Sequence, residues 1–241
     1  MTEGGPAERN VFVREPPELF ALAAKWIRGA MNTGLNQGSC SIALAGGSTP
    51  RPVYALLAAE PIVDQIDWRR VSVYFGDERA VPMDSPDSNY AMARDVLISR
   101  VPIPATQVHR MEAERADIDA AARDYDRQLP EALDVLILGV GPDGHTASIF
   151  PGSSAMSEMH QRVVPVTNSP KPPQRRLTIT PPVIEAARAI VVIATGAEKA
   201  RVIARALDGP DKPRELPLQF ARRGAWFLDT AAAAALRGVT P

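Results

Sequence analysis

A chain of 241 residues is long enough for one large α/β domain or at most two small ones, and its 45% hydrophobic and 23% charged residues exclude a disordered chain. The formal net charge of −1 lacks the basic excess of a nucleic-acid binder, yet leaves room for the few placed cations that a small anionic ligand needs. The single cysteine, Cys40, cannot close an internal disulfide, which points to a reducing, cytoplasmic setting and to a structural thiol inside an apolar run.

The N-terminal stretch MTEGGPAERN carries no basic patch followed by an apolar segment and does not read as a signal peptide. No apolar run approaches the ~20 residues that span a bilayer. Residues 1–9 are expected to be a flexible polar tail and 10–241 one domain, with the 23 prolines stiffening loops between apolar runs. Asn10 to Arg14 alternates as a short strand, and Leu19, Phe20, Ala23, Ile27, Ala30 and Met31 recur at helical spacing. SIALA (41–45) predicts a buried strand, followed by Gly46-Gly47-Ser48-Thr49 and a helix from Pro50 with Thr49 as its cap. VSVYF (71–75) predicts a second strand running into a charged turn, Gly76-Asp77-Glu78-Arg79. Asp87 or Ser88 can cap the helix NYAMARDVLI, and Ile118 to Leu129 gives another.

DVLILG (134–139), VVPV, LTIT and AIVVIAT (189–195) follow as strands, EKARVIARAL as a helix, and WFLD with AAAAAL as a last strand and helix. Strands alternating with helices predict a mostly parallel, Rossmann-like sheet in a single α/β domain, with helices on both faces. Ligands of such sheets bind beyond the carboxyl ends of the strands, so four strand ends matter most. After SIALA, two glycines let consecutive amides converge on an anion, with hydroxyls at Ser48 and Thr49; a plain tight turn fits equally. After VSVYF, Arg79 can face a developing oxyanion and Asp77 can orient a neighbour, against the bland reading of a solvated ion-pair turn. After DVLIL, Gly139, Gly141 and Gly144 formally satisfy G-x-G-x-x-G, but Pro142 removes an amide that a pyrophosphate would need and no acidic strand end follows. The glycines instead deliver Asp143 and His145 on a rigid loop. Lys171, Arg175 and Arg176 in SPKPPQRRLT, and Lys199 after AIVVIAT, can clamp a phosphate if their loops converge, against the bland reading of surface charge for any one of them. His109 and His160 have no such context, and three scattered histidines with one cysteine give no metal-ligand spacing.

Six segments in series, LAGGSTP, FGDERAVP with DSNY, LGVGPDGHTASIFPGS, SPKPPQRRLTIT, TGAEKA and WFLD, resemble the 6-phosphogluconolactonase family, whose fold is similar to that of glucosamine-6-phosphate deaminases. The resemblance implies that 10–241 is a lactonase domain hydrolysing 6-phospho-D-glucono-1,5-lactone in the oxidative pentose phosphate pathway, with neither cofactor nor metal. It implies His145 as general base, Gly46, Gly47, Ser48 and Thr49 as phosphate cradle, and Arg176 (rather than Arg175) and Lys199 as phosphate ligands. Asp77 and Arg79 fall at the reacting end, Asp143 or Asp77 orients His145, and Lys171 is a further substrate-binding candidate. The expected partner is a sugar-phosphate lactone, without nucleic acid or membrane, acted on by a monomer or weak homo-oligomer. Deaminases of this fold continue from the DGH turn into Asn-Glu-Pro, whereas Thr146 to Pro151 contains no acid; a non-catalytic sugar-phosphate sensor is the other alternative.

Overall fold

Short runs of β-branched and aliphatic residues, apolar at every position, fit the centre of a sheet covered on both faces. The computed structural model describes residues 10–238, so the expected tail at 1–9 lies outside the described residues, as do 239–241. The first half runs β1 (Val11–Val13), α1 (Glu18–Leu35), β2 (Cys40–Leu44), α2 (Arg51–Leu57), β3 (Val71–Phe75), β4 (Asp77–Arg79), α3 (Asn89–Val96) and α4 (Ile118–Gln128). The second half runs β5 (Val135–Leu138), α5 (Ser154–Ser157), β6 (Val163–Val166), β7 (Arg176–Ile179), α6 (Pro181–Ala186), β8 (Ala189–Ala194), α7 (Ala200–Asp208), β9 (Ala225–Leu228) and α8 (Thr230–Ala233).

Six strands make one parallel sheet in the order β1-β9-β8-β5-β2-β3. Every residue of β5 and β9 is buried, which requires cover on both faces of the sheet centre. Cys40 opens β2 inside this core, where burial, and after it the Asp134 charge, push its thiol up to about 12. It is a packing residue. From β2 the chain pairs β3 on one side and later returns to pair β5 on the other, so the strand order reverses between β2 and β5. That reversal opens a crevice at the carboxyl ends of β2 and β5, the place where such sheets bind ligands.

Three local expectations are corrected. Thr49 does not cap α2: Pro50 holds the N-cap position with helical dihedrals (φ −77°, ψ −16°) and no side-chain capping bond. The helix after DSNY is capped by Ser88, whose hydroxyl accepts from the Ala91 amide at 3.1 Å, but it stops at Val96 because Leu97 leaves helical dihedrals. Gly76–Arg79 is not a free turn. Its last three residues form β4, the edge of a second, three-stranded antiparallel sheet in the order β4-β7-β6. Gly76 joins the two sheets, donating to the Leu44 carbonyl at 3.0 Å and accepting from the Ile179 amide at 2.9 Å.

Candidate active site

Alternation along β4 explains how three adjacent charges serve two purposes. Asp77 and Arg79 face the crevice, and Glu78 faces the start of α3. The buried Glu78 carboxylate accepts from the amides of Arg79, Asn89 and Tyr90, each at 2.8 Å, and from the Ser88 hydroxyl at 3.0 Å. It therefore anchors α3 to β4 and fixes Asn89 at the crevice wall. Burial raises its pKa, and these four donors oppose the rise.

The crevice is a cavity of about 240 Å³ lined by Gly46 to Pro50, Asp77, Arg79, Asn89, Gly139 to Gly141, His145, Ala147, Arg176 and Lys199, with Ala45 behind them. Most of the predicted site residues meet there. Among the described residues, the amides of Gly47, Ser48 and Thr49 have no acceptor. Three cations and one carboxylate line the cavity. Arg79 stands directly opposite Arg176 in the β4–β7 register, a like-charge pair that an anion between them would stabilise.

The arginines differ in what they have left to give. Arg176 already donates Nε to the Pro173 carbonyl (3.0 Å), Nη2 to the Lys171 and Pro172 carbonyls (3.1 and 3.4 Å) and Nη1 to the Ser148 hydroxyl (3.3 Å). It thus straps the proline-rich loop and keeps one donor of its five. Burial lowers its pKa, with Asp77 opposing and the nearby Arg79 charge acting the same way as burial. The Arg79 guanidinium donates through Nη1 to the Asp87 carbonyl, and its buried Nε has no partner among the described residues. The Lys199 ammonium lies 3.9 Å from Glu198, and its Gly196 turn is held by Asp229, which accepts from the Gly196 amide at 3.0 and 3.1 Å and caps α8.

Two carboxylates compete for the role of orienting His145, and the geometry separates them. Asp143 Oδ1 lies 2.5 Å from His145 Nδ1. Asp77 instead accepts from the Ser148 hydroxyl at 2.6 Å and from the Asn89 carboxamide at 3.1 Å, and lies 4.0 Å from Arg176. A carboxylate at Nδ1 assigns the ring proton there and leaves Nε2 as the basic nitrogen. The ring packs 4.6 Å from Phe150, which also carries the Arg176 guanidinium over its face. Burial lowers the His145 pKa below the ordinary 6.5, with Asp143 raising it and the Lys171 charge lowering it. Asp143 is itself raised by burial, but the His145 charge and hydrogen bond, with Lys171, bring it below the usual carboxylate range.

Lys171 does not line the cavity; it acts on the pair through its charge. His109 stacks on Tyr74 at 4.5 Å and His160 is exposed, both away from the crevice. Sequence reasoning missed Asn89, Ser148 and Phe150. Asn89 and Ser148 stand in the quoted segments DSNY and HTAS, yet their importance lies in partners more than ten residues away.

The family described as "Glucosamine-6-phosphate isomerases/6-phosphogluconolactonase" matches residues 14–228. The chain belongs to this family. Among its 6-phosphogluconolactonase relatives, that of Streptomyces coelicolor is 38% identical over 94% of this chain and 94% of its own. That of Rattus norvegicus is 38% identical over 97% and 95%. The solved structure of 6-phosphogluconolactonase from Trypanosoma brucei superposes with a TM-score of 0.83 at 35% identity, covering 94% of this chain and 98% of its own. Likeness to 6-phosphogluconolactonases therefore extends over nearly the whole described chain, crevice included.

If His145 titrates as its surroundings dictate, the acid limb of kcat/KM lies below pH 6.5. The sign for each neighbour follows from its charge. Asp143→Asn removes an anion that favours the imidazolium, so the limb moves further down. Lys171→Met removes a cation, so the limb moves up. Rate–pH profiles of the three proteins, corrected for spontaneous opening of the lactone substrate, check both directions; an upward move in Asp143→Asn would contradict the assignment.

Proposed function

We infer that this chain is a 6-phosphogluconolactonase, hydrolysing 6-phospho-D-glucono-1,5-lactone to 6-phosphogluconate in the oxidative pentose phosphate pathway. The observation that carries the reading is the Asp143–His145 couple facing, across one small cavity, a turn of unpaired amides and three cations. The amides of Gly47 to Thr49 with Lys199 and the remaining Arg176 donor hold the phosphate and so fix the ring. Neutral His145, held by Asp143, takes a proton through Nε2 from water as the oxygen attacks the lactone carbonyl carbon. Arg79, with an unpaired Nε, stabilises the tetrahedral oxyanion. On collapse the ester C–O bond breaks, and the imidazolium returns its proton to the departing ring oxygen. A lactone is an activated ester, and these groups suffice without a metal or cofactor.

The setting follows from the same residues. Among the described residues, no helix is long and apolar enough to cross a membrane. The buried free thiol of Cys40 fits the cytoplasm. The small cavity and modest net charge suit a sugar phosphate rather than a nucleic acid, and we take the working form to be a monomer or weak homo-oligomer.

Fresh 6-phosphogluconolactone and glucosamine-6-phosphate offered side by side test the reading directly. Acid release from the first without ammonia from the second is expected. The phosphate contacts are tested by comparing the phosphorylated lactone with unphosphorylated gluconolactone. A charge-assisted hydrogen bond contributes about 1.5–3 kcal/mol, so Lys199→Ala should lower kcat/KM for the phosphorylated lactone by roughly 10- to 100-fold and leave the other nearly unchanged. Arg176→Ala should show the same selectivity and also melt at lower temperature, because it frees the Lys171–Pro173 carbonyls. Equal losses on both lactones would remove Lys199 and Arg176 from the phosphate site.

A further inference from the structure

Two buried hydroxyls have no part in the chemistry above, and they make the same unusual contact. Tyr54, on α2, accepts from the Ala45 amide at 2.8 Å and donates to the Ala45 carbonyl at 2.9 Å. Tyr125, on α4, accepts from the Phe75 amide at 2.7 Å and donates to the Phe75 carbonyl at 3.1 Å. A phenol has one proton to give and lone pairs to accept with, so each hydroxyl satisfies both backbone groups of one residue. Both rings are buried, and burial raises both phenols, so each keeps the proton it donates.

The two clamped residues occupy equivalent places. Phe75 ends β3, and Ala45 directly follows β2. The Leu44 carbonyl accepts from Gly76, so strand alternation turns the Ala45 amide and carbonyl to the other flank, toward β5. There the β2–β5 register covers only Ile42–Val135 and Ala43–Leu136 before the strands part. The same alternation turns the Phe75 groups to the outer flank of β3, where Val108 bridges Val73 and, among the described residues, no strand continues to Phe75. Neither pair has a strand to bond. Immediately beyond Ala45 lies the Gly46–Thr49 turn, and immediately beyond Phe75 lie Gly76 and the strand carrying Asp77 and Arg79.

We propose that Tyr54 and Tyr125 are positioning residues, each fixing the direction in which one arm of the active site leaves the sheet. Tyr54 sets the phosphate-holding turn, and Tyr125 sets the strand that carries Asp77 and Arg79. The proposal rests on the functional reading above, and it separates two rings that a purely structural account would treat alike.

Tyr54→Phe and Tyr125→Phe delete the same atom from equally buried rings, and steady-state kinetics distinguishes them. Tyr54→Phe should raise KM for 6-phosphogluconolactone and Ki for inorganic phosphate together, by about tenfold or ~1.4 kcal/mol, with kcat held within about twofold. Tyr125→Phe should lower kcat by about tenfold and leave the phosphate Ki unchanged. Lower melting temperatures with unchanged kinetics, or one parameter shifted alike in both, would overturn the proposal. If a phenylalanine variant does not fold, 4-aminophenylalanine at that position restores a donor to the carbonyl; the same split, reduced in size, is then expected, and its absence overturns the proposal. A wild-type protein that never opens the lactone defeats the functional reading instead. Calorimetric phosphate binding by wild type and Tyr54→Phe then decides the clamp alone, equal affinities counting against it.

Discussion

His145→Ala should lose about 10²- to 10⁴-fold in turnover of 6-phosphogluconolactone while staying folded and binding phosphate almost as before. The size follows from removing a positioned base, and the selectivity follows from where that base sits. His145 rides on a loop beyond β5, its ring in contact with Phe150 and Asp143 rather than with the main core. Its removal opens a small space at the crevice wall and leaves β5 untouched. The assay must subtract spontaneous ring opening, because an activated ester disguises a dead enzyme. A folded variant that keeps most of its activity would place the base elsewhere, and Asp77 would be tested next.

The second large effect comes from a residue with no side chain. An added Cβ at Gly141 would lie 2.0 Å from His145 Nδ1, 2.1 Å from its Cε1 and 2.6 Å from Asp143 Oδ1. All three atoms belong to the catalytic couple, and none to the backbone. Gly141→Ala should therefore leave the fold intact and drive the imidazole out of line with Asp143. A misplacement of about 1 Å can cost on the order of 10²-fold in rate, so kcat should fall by at least that much, with the phosphate Ki unchanged. Normal circular dichroism and melting temperature beside a collapsed kcat is the expected pattern. A variant with wild-type kcat would mean that the Asp143–His145 contact is dispensable.

The parallel sheet was legible because its strands are unbroken apolar runs whose partners matter less than their burial. VLIL and AIVVIA carry that signal in their own residues. β4 carries none: Asp-Glu-Arg becomes a strand only because Arg176-Leu177-Thr178 lies beside it, almost 100 positions later. Thr49 looked like a helix cap because its residue type favours that role, yet Pro50 already stood at the N-cap, and Thr49 faces the cavity instead. The candidate site was legible where one loop presents adjacent polar residues, as Asp143-Gly144-His145 does, although the sequence left Asp77 as an equal partner for His145. It was opaque where function is shared across the fold. Nothing near Ser148 in the sequence announces that its hydroxyl will join Asp77 to Arg176, and nothing near Tyr54 announces that it will hold Ala45.

The placement of Arg176 has a consequence for the end of each catalytic cycle. Arg176 sits on a strand, tied by four hydrogen bonds, opposite another strand-borne cation. If Arg176 holds the phosphate as proposed, a grip built this way neither loosens when the ring opens nor senses that it has opened, since the phosphate is the same group before and after hydrolysis. The anchoring half of the cleft is blind to reaction progress. Under the proposed function, discrimination between lactone and acid comes from the His145 end, where a new carboxylate meets Asp77, Asp143 and the Arg79 guanidinium together.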